Sequence, residues 1–175
     1  KVKDKAEKES SLVYYVTGIS AGCAVNQSNT NKRYDGNFLV DAAYKQSELT
    51  AAIKAGEFAF HKVGDEIRVL EDINSFTSVT TDKNSDFQSN QTIRVLDQIG
   101  NDVAVIFNTR YLGKVQNNDA GRLAFWGDIV ALYRQMVAIG AVTDFDADAI
   151  EVTQGQDKKS VAVYNPVTPA CAMEK

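Results

Sequence analysis

The sequence has few of the residues that build metal sites, disulfide frameworks and membrane spans. Among its 175 residues there are two cysteines, Cys23 and Cys171, and one histidine, His61. The cysteines lie near opposite ends, without CxxC spacing or clustered histidines, which argues against a thiolate zinc site. No uninterrupted apolar run exceeds five residues, as in Val103–Phe107, whereas a membrane-spanning helix needs about 20. We therefore predict no bound metal and no membrane span.

Motifs that cradle phosphates are also absent. The patterns GxxxxGK[ST] and GxGxxG do not occur. Any mechanism based on histidine must use His61, which lies in a predicted strand without a carboxylate or thiol motif beside it. We predict that the chain is not an enzyme and uses no cofactor.

An acidic run at residues 144–151 has the alternating carboxylates of a calcium loop. Asp144, Asp146 and Asp148 match the first three ligand positions of an EF-hand, but Ala149 stands where glycine is needed and Gly155 where glutamate is needed. We interpret the run as a solvated acidic turn that begins a short helix.

The composition indicates one globular domain, or a core with one appendage. Hydrophobic residues make up 44% of the chain and charged residues 24%, and about 150 residues form a typical domain. Lys and Arg number 19 against 23 Asp and Glu, a net charge of −4. Because a protein that neutralises nucleic-acid phosphates needs a basic surplus, we predict no nucleic-acid partner.

Helical spacing begins near Ser10 or Ser11 and places two glycines, Gly18 and Gly22, on one helix face. Each glycine costs a helix about 1 kcal/mol relative to alanine. We therefore predict that another backbone packs closely against this face, so that a larger residue at Gly18 would overpack it.

The remaining patterns predict an α+β fold with a mixed β-sheet, a β-hairpin, two long helices and shorter helices. Alternating residues on both sides of Gly64-Asp65 predict the hairpin. The long helices are predicted at 92–110 and 119–139, and further strands at 150–153 and 160–164. We predict a charged lead-in or linker at residues 1–10, the core at 11–165 and the start of a C-terminal arm at 166–175. Pro166 and Pro169 confine the last segment to a sheet edge or an arm, because proline cannot donate a ladder hydrogen bond.

Seven short stretches carry a pattern through their order along the chain. They are Val16–Gly22, Asn26–Thr30, Ala55–Phe58, Glu71–Asn74, Arg94–Asp97, Leu112–Asn117 and Gly140–Phe145. Together they resemble the C-terminal part of contractile tail sheath proteins. Such proteins occur in myophages, prophages and phage-tail-like bacteriocin particles.

The resemblance implies a virion structural protein that self-assembles into a helical polymer. Subunits of such a sheath form hexameric rings stacked around a tail tube protein above a baseplate, and contraction drives the tube through a cell envelope. Extended terminal arms add strands to a neighbouring subunit's sheet. The resemblance thus makes Val161, Val163 and Tyr164 inter-subunit contact candidates, and it implies a virion tail or tail-like particle assembled in the bacterial cytoplasm.

Two other functions fit the same composition. A non-catalytic adaptor or ligand-binding module would use the polar loops at 26–36 and 74–91 for recognition. A hydrolase would have to assemble its site from scattered carboxylates. Rings or striated cylinders in electron micrographs would distinguish a sheath from both.

The extent of the chain gives a first prediction. It starts without Met and is shorter than sheath proteins usually are, so we interpret it as a piece of a longer protein or a processed product. With incomplete arms, it should fold but not polymerise. We expect a monomer or small oligomer in size-exclusion chromatography; long tubules formed by the 175-residue chain would contradict this.

Overall fold

A computed structural model describes residues 11–174 and divides them between two compact units. The described part of the first unit comprises residues 11–93 and 171–174, and the second comprises residues 94–170.

The first unit contains two helices and a β-hairpin. The helices are α1 (Ser11–Ala21) and α2 (Gln46–Lys54), and the strands are β1 (Phe60–Val63) and β2 (Glu66–Val69). The strands pair antiparallel, from Phe60 opposite Val69 to Val63 opposite Glu66. Gly64 turns the chain between them with φ +60°, a value that glycine adopts without steric cost. The predicted hairpin is confirmed.

Aromatic and aliphatic side chains form the core of the first unit. Leu12, Phe58, Phe60 and Val69 are buried. The ring of Tyr34 lies 5.8 Å from that of Phe60 and 4.6 Å from that of Tyr15. The Tyr15 hydroxyl donates a 2.8 Å hydrogen bond to Asp35. Burial, helped by that hydrogen bond, raises the pKa of Tyr15 to about 12.

A buried polar pair holds the loop after α1 in place. The side chains of Asn29 and Asp72 are 1% and 2% exposed. The backbone N–H of Asn29 donates to the Asp72 carboxylate over 2.9 Å, and the Asn29 amide donates to the Ile19 carbonyl over 3.3 Å. The same carboxylate accepts from the Asn90 side chain. Since buried polar groups without partners are costly, these bonds fix the loop near Asn29.

The second unit contains the two long helices and a second pair of strands. Most of helix α3 (Asn90–Ile106) lies within it, from Arg94 onward, and α3 ends in a π-helical turn, Phe107–Tyr111. The other elements are α4 (Asp119–Ala138), a 3₁₀ turn at Ala147–Ala149, β3 (Glu151–Gln154) and β4 (Val161–Tyr164). Asn118 caps α4, because its side chain accepts the N–H of Gly121 at 2.9 Å.

The α+β class is confirmed, but the strands do not form one mixed sheet. Within residues 11–174 they form two separate two-stranded antiparallel sheets, β1–β2 and β3–β4. Each pair is joined by a short turn, which permits only antiparallel neighbours, whereas a parallel pairing needs a crossover of about a dozen residues or more.

The prediction of close packing at Gly18 and Gly22 is wrong for the part of the chain that the structure describes. Both glycines are exposed. A Cβ atom at Gly18 would meet nothing within 4 Å, and one at Gly22 only the Gly18 carbonyl oxygen at 3.4 Å. Sequence periodicity identified the shared face but could not show that it points away from the core.

Gly121 is the glycine of α4 that the fold requires. A Cβ atom there would collide with the carbonyl oxygen of Gln116 and lie 3.0 Å from Val115 Cγ1. At Gly127, in the same helix and exposed, it would meet nothing within 4 Å. The chain before α4 thus approaches its first turn too closely for any side chain.

The two glycines give a matched prediction. Gly121→Ala should destabilise the protein by about 1–3 kcal/mol through overpacking. Gly127→Ala should stabilise it by about 0.5–1 kcal/mol, because alanine is the better helix former. Thermal or urea unfolding of both variants tests this, and an equal effect of both changes would show that the contact with Gln116 is unimportant.

Candidate assembly surface

The β3–β4 hairpin presents strand edges that have no partner within residues 11–174. Glu151 pairs with Tyr164, and the ladder ends with Gln154 opposite Val161. The half-buried Val161 and Val163 alternate with exposed residues on β4, and Tyr164 is 64% exposed. Unpaired N–H and C=O groups along such an edge can accept another strand. The strand predicted at 160–164 is therefore present, and its three contact candidates lie together on it.

The amide of Asn117 fixes the turn between β3 and β4. Its nitrogen donates to the carbonyl oxygens of Ser160 at 2.8 Å and Lys158 at 3.1 Å. Its oxygen accepts from the Arg122 guanidinium at 2.9 Å, and Arg122 also forms an ion pair with Asp119. The turn is thereby attached to the first turn of α4.

A further hydrogen bond fixes the residue that follows β4. The buried Tyr133 of α4 donates its hydroxyl to the Asn165 carbonyl at 3.1 Å. Burial raises the pKa of Tyr133 above its ordinary value, against the opposing effect of the Asn165 side chain. With Asn117 at the turn and Tyr133 at the end of β4, the hairpin is anchored to α4 at two places.

A small cavity lies beneath β4. Its volume is about 80 Å³, and Phe107, Tyr111, Phe125 and Val161 are among the side chains that line it. The Tyr111 hydroxyl donates to the Asp128 carboxylate at 2.7 Å, and Arg110 bonds the other oxygen at 2.9 Å. Burial, followed by the hydrogen bond to Asp128, raises the pKa of Tyr111 to about 12.

An apolar groove runs between α4 and β3. It has a volume of about 340 Å³ and is lined by Leu123, Trp126 and Val152, with the charged Asp119 and Arg122 beside them. Leu123 is 66% exposed. The Trp126 indole N–H is satisfied by the Ala147 carbonyl at 3.2 Å. Large apolar side chains rimmed by charges are typical of interaction surfaces.

The groove shows that helical spacing alone does not define the buried face of α4. Leu123, Trp126 and Tyr133 recur at the spacing of a single core-facing stripe. Tyr133 is buried, but Leu123 is exposed and Trp126 is half-buried. The stripe therefore faces the core only in the C-terminal part of the helix. The charged residues Asp119 and Arg122 in the first turns of α4 indicate, from sequence alone, that the N-terminal part of this helix faces outward.

The segment after β4 forms hydrogen bonds first with residues of the second unit and then with a residue of the first unit. Pro169 bridges to Val142, and the Ala170 N–H donates to the Ala141 carbonyl at 2.9 Å. In the first unit, the Ala172 N–H donates to the Gln91 side chain at 3.0 Å. The assignment of residues 166–175 as the start of an arm stays a prediction, and Lys175 lies outside the described residues, as do residues 1–10, the predicted linker.

The residues considered for chemistry have ordinary structural surroundings. His61 pairs with Arg68 across the β1–β2 hairpin, and its pKa is lowered by burial and then by the Arg68 charge. In the acidic run, Asp146 accepts the Asp148 N–H at 3.0 Å and so begins the 3₁₀ turn. Between residues 11 and 174 no three His, Cys, Asp or Glu side chains group as metal ligands would, and no helix is long and apolar enough to cross a membrane.

Comparison with protein families decides the identity of the chain. Residues 2–75 match the family model of the phage tail sheath protein central domain, and residues 82–175 match that of the phage tail sheath C-terminal domain. The second match alone spans more than half of the chain. The chain belongs to the phage tail sheath family. The resemblance found in the sequence is confirmed.

Two relatives come from Bacillus subtilis (strain 168). The chain is 32% identical over 170 residues to "Uncharacterized protein YqbK" and 29% identical over 172 residues to "Phage-like element PBSX protein XkdK". Each match covers 92% of this chain but 36% of the relative. This sheath-family chain thus spans about a third of the length of the curated relatives it matches.

A solved structure agrees with the fold described above. The sheath tail protein from Desulfitobacterium hafniense superposes with a TM-score of 0.83 at 31% identity, covering 96% of this chain and 41% of that protein. The helices and small antiparallel sheets of this chain therefore follow a sheath-protein fold.

The Tyr111–Asp128 hydrogen bond gives a prediction with a pH dependence. In the folded protein the pKa of Tyr111 is about 12, above the ordinary value of 10.0. The protonated Tyr111 therefore stabilises the fold fully below pH 10, and this stabilisation is lost as the pH rises towards about 12. Asp128→Asn should lower the pKa of Tyr111 but leave it above 10.0, because burial remains the larger cause.

Ultraviolet titration of tyrosine ionisation measures this shift, and Tyr111→Phe identifies the signal. Asp97→Asn, a change at an exposed position of α3, is the control and should leave the Tyr111 titration unchanged. A Tyr111 pKa that does not respond to Asp128→Asn would contradict the hydrogen bond.

Proposed function

We propose that the chain is the core of a structural subunit of a contractile tail sheath, which polymerises around a tail tube and contracts to drive the tube through a cell envelope. Membership of the phage tail sheath family is the observation that carries the proposal. The role is mechanical, and the chain is not a catalyst.

Strand addition at the β3–β4 hairpin is the proposed link between subunits. The edge of β4 carries Val161, Val163 and the exposed Tyr164, and it is unpaired within residues 11–174. An extended arm from a second copy would add main-chain hydrogen bonds along the edge and apolar contacts from alternate side chains. The apolar groove at Leu123, Trp126 and Val152 lies beside the other strand of the same hairpin.

The anchoring of the hairpin suits a joint that must persist while subunits move. Asn117 holds the turn and Tyr133 the end of β4. Force on an added strand would therefore pass through these bonds into α4. In the proposed mechanism the linking arm bends and the core stays rigid, so the joint survives the rotation of subunits during contraction.

Contraction, as proposed, needs no nucleotide. The extended lattice is metastable and relaxes to one with more contact between subunits, which supplies the energy. The proposed partners are copies of the same chain in stacked hexameric rings, a tail tube protein and a baseplate. The proposed location is a virion tail or phage-tail-like particle assembled in the bacterial cytoplasm. Residues 11–165 would form the sheath core, with residues 1–10 as a linker and 166–175 beginning the C-terminal arm.

The test is to express the chain together with the coding sequence that flanks it and to examine the product by electron microscopy. Rings or striated cylinders are expected. Tyr164→Ser should abolish or shorten them while leaving the melting temperature unchanged, because the side chain is already 64% exposed. Tyr14→Ser, at a tyrosine of α1 that is 80% exposed, is the matched control.

Two results would overturn the proposal. One is a protein that stays dispersed under every assembly condition. The other is turnover of a defined substrate that is lost on mutation of a specific side chain. Equal loss of assembly in the Tyr14 and Tyr164 variants would leave the family role standing but reject β4 as the specific joint.

A further inference from the structure

Two hydroxyl groups of the first unit converge on the carboxylate of Glu174. Ser28 Oγ donates to Glu174 Oε1 at 2.6 Å, and Thr30 Oγ1 donates to the same oxygen at 2.9 Å. The partners are more than 140 residues apart in sequence, with separations of 146 and 144. The contact thus ties the C-terminal segment at residues 171–174 to the loop after α1.

The two hydroxyls and the surrounding backbone form one hydrogen-bond network that ends at this carboxylate. The Thr30 N–H donates to Ser28 Oγ at 3.1 Å, and the Asp72 N–H donates to Thr30 Oγ1 at 2.9 Å. A hydroxyl has one proton and two acceptor positions. Each oxygen already accepts an N–H, so the Thr30 proton is available to Glu174. The single Ser28 proton is shared between Glu174 Oε1 and Thr30 Oγ1, which lies 3.0 Å away. Bonds linked in this way strengthen one another.

The loop that carries the hydroxyls is held in place independently of Glu174. Asn29, between Ser28 and Thr30, is 1% exposed and bonds through its backbone to the buried Asp72. The two hydroxyls therefore form a preorganised receptor for a negatively charged oxygen, which needs little rearrangement on binding.

A second bond sets the direction of the segment that the receptor holds. The Ala172 N–H donates to Gln91 Oε1 at 3.0 Å, and Gln91 is 2% exposed. Residues 171–174 are themselves exposed, and Met173 is fully so. Polar bonds, and not burial of apolar side chains, therefore hold this segment.

We propose that Ser28 and Thr30 form a carboxylate-binding site whose ligand is the Glu174 side chain of the same chain, so that residues 171–174 act as a detachable strap. The site would bind an acidic side chain of an extended peptide. The backbone N–H of the residue two positions before that acidic residue would donate to Gln91. Residues 171–174 would then have a bound and a released state. The inference stands whether or not the sheath proposal is correct.

Amide hydrogen exchange in the 175-residue chain tests the strap. Glu174→Ala should speed exchange of the Ala172 amide by about tenfold, as expected for loss of a charge-assisted hydrogen bond. Met173→Ala, in the same segment, should leave that rate unchanged. Neither change alters the residues beside the Ala172 amide on its N-terminal side. An Ala172 rate that is the same in the Glu174→Ala variant and the unchanged chain would overturn the proposal.

Two further measurements identify the receptor and its ligand. Ser28→Ala should also speed exchange at Ala172, and the Ser28→Ala, Glu174→Ala double variant should exchange no faster than Glu174→Ala alone. Fully additive effects would mean that the two side chains do not act through one bond. The rate at Ala172 should not depend on protein concentration; a rate that falls as concentration rises would show that a second copy supplies the carboxylate, which would overturn the assignment within one chain.

Discussion

The side-chain amide of Asn117 is the interaction on which the second unit depends. Its nitrogen binds the turn between β3 and β4, and its oxygen binds Arg122 of α4. An amide suits this position because it donates and accepts at once, whereas a carboxylate could not donate to the turn carbonyls. A two-stranded hairpin alone is marginal in water. Its attachment to α4 is what makes a defined strand edge available.

Helix α4 combines a structural and a surface role. Its C-terminal part buries Ile129, Tyr133 and Met136, while Leu123 and Trp126 near its start line the groove beside β3. The approach of Gln116 to Gly121 fixes where the helix begins. The same helix therefore supports the core and sets the orientation of an apolar surface that the single chain leaves exposed.

Local signals were sufficient to predict several elements from the sequence. Alternating residues around Gly64-Asp65 predicted the first hairpin, and the range predicted for the second long helix, 119–139, matches the ends of α4 to within about one residue. In each case the determining atoms lie within a few residues of one another, so sequence spacing carries the information. The family resemblance was also visible, because it depended on the order of short stretches.

Other features depend on contacts between distant residues, and sequence spacing could not predict them. Asn117 had no periodic pattern to mark its bonds to residues 158 and 160. Gly18 is exposed because another face of α1 packs against Phe58 and Phe60. Glu174 forms hydrogen bonds with residues that lie nearly the whole length of the chain away in sequence. The family resemblance marked Val161, Val163 and Tyr164 as contact candidates, and the structure shows that they share one strand, but their contact with a second copy stays a prediction.

The shortness of β4 has a consequence for the proposed assembly. A strand of four residues can offer only a few main-chain hydrogen bonds to an added strand. Each bond contributes a net stabilising free energy of about 0.5–1.5 kcal/mol. A single joint of this kind would open readily, and two isolated copies would hardly associate. An array in which every copy is held by several such joints would behave differently, since the release of one leaves its partners tethered nearby at high effective concentration. Weak individual joints would then allow errors to be corrected during growth, while the completed array resists dissolution.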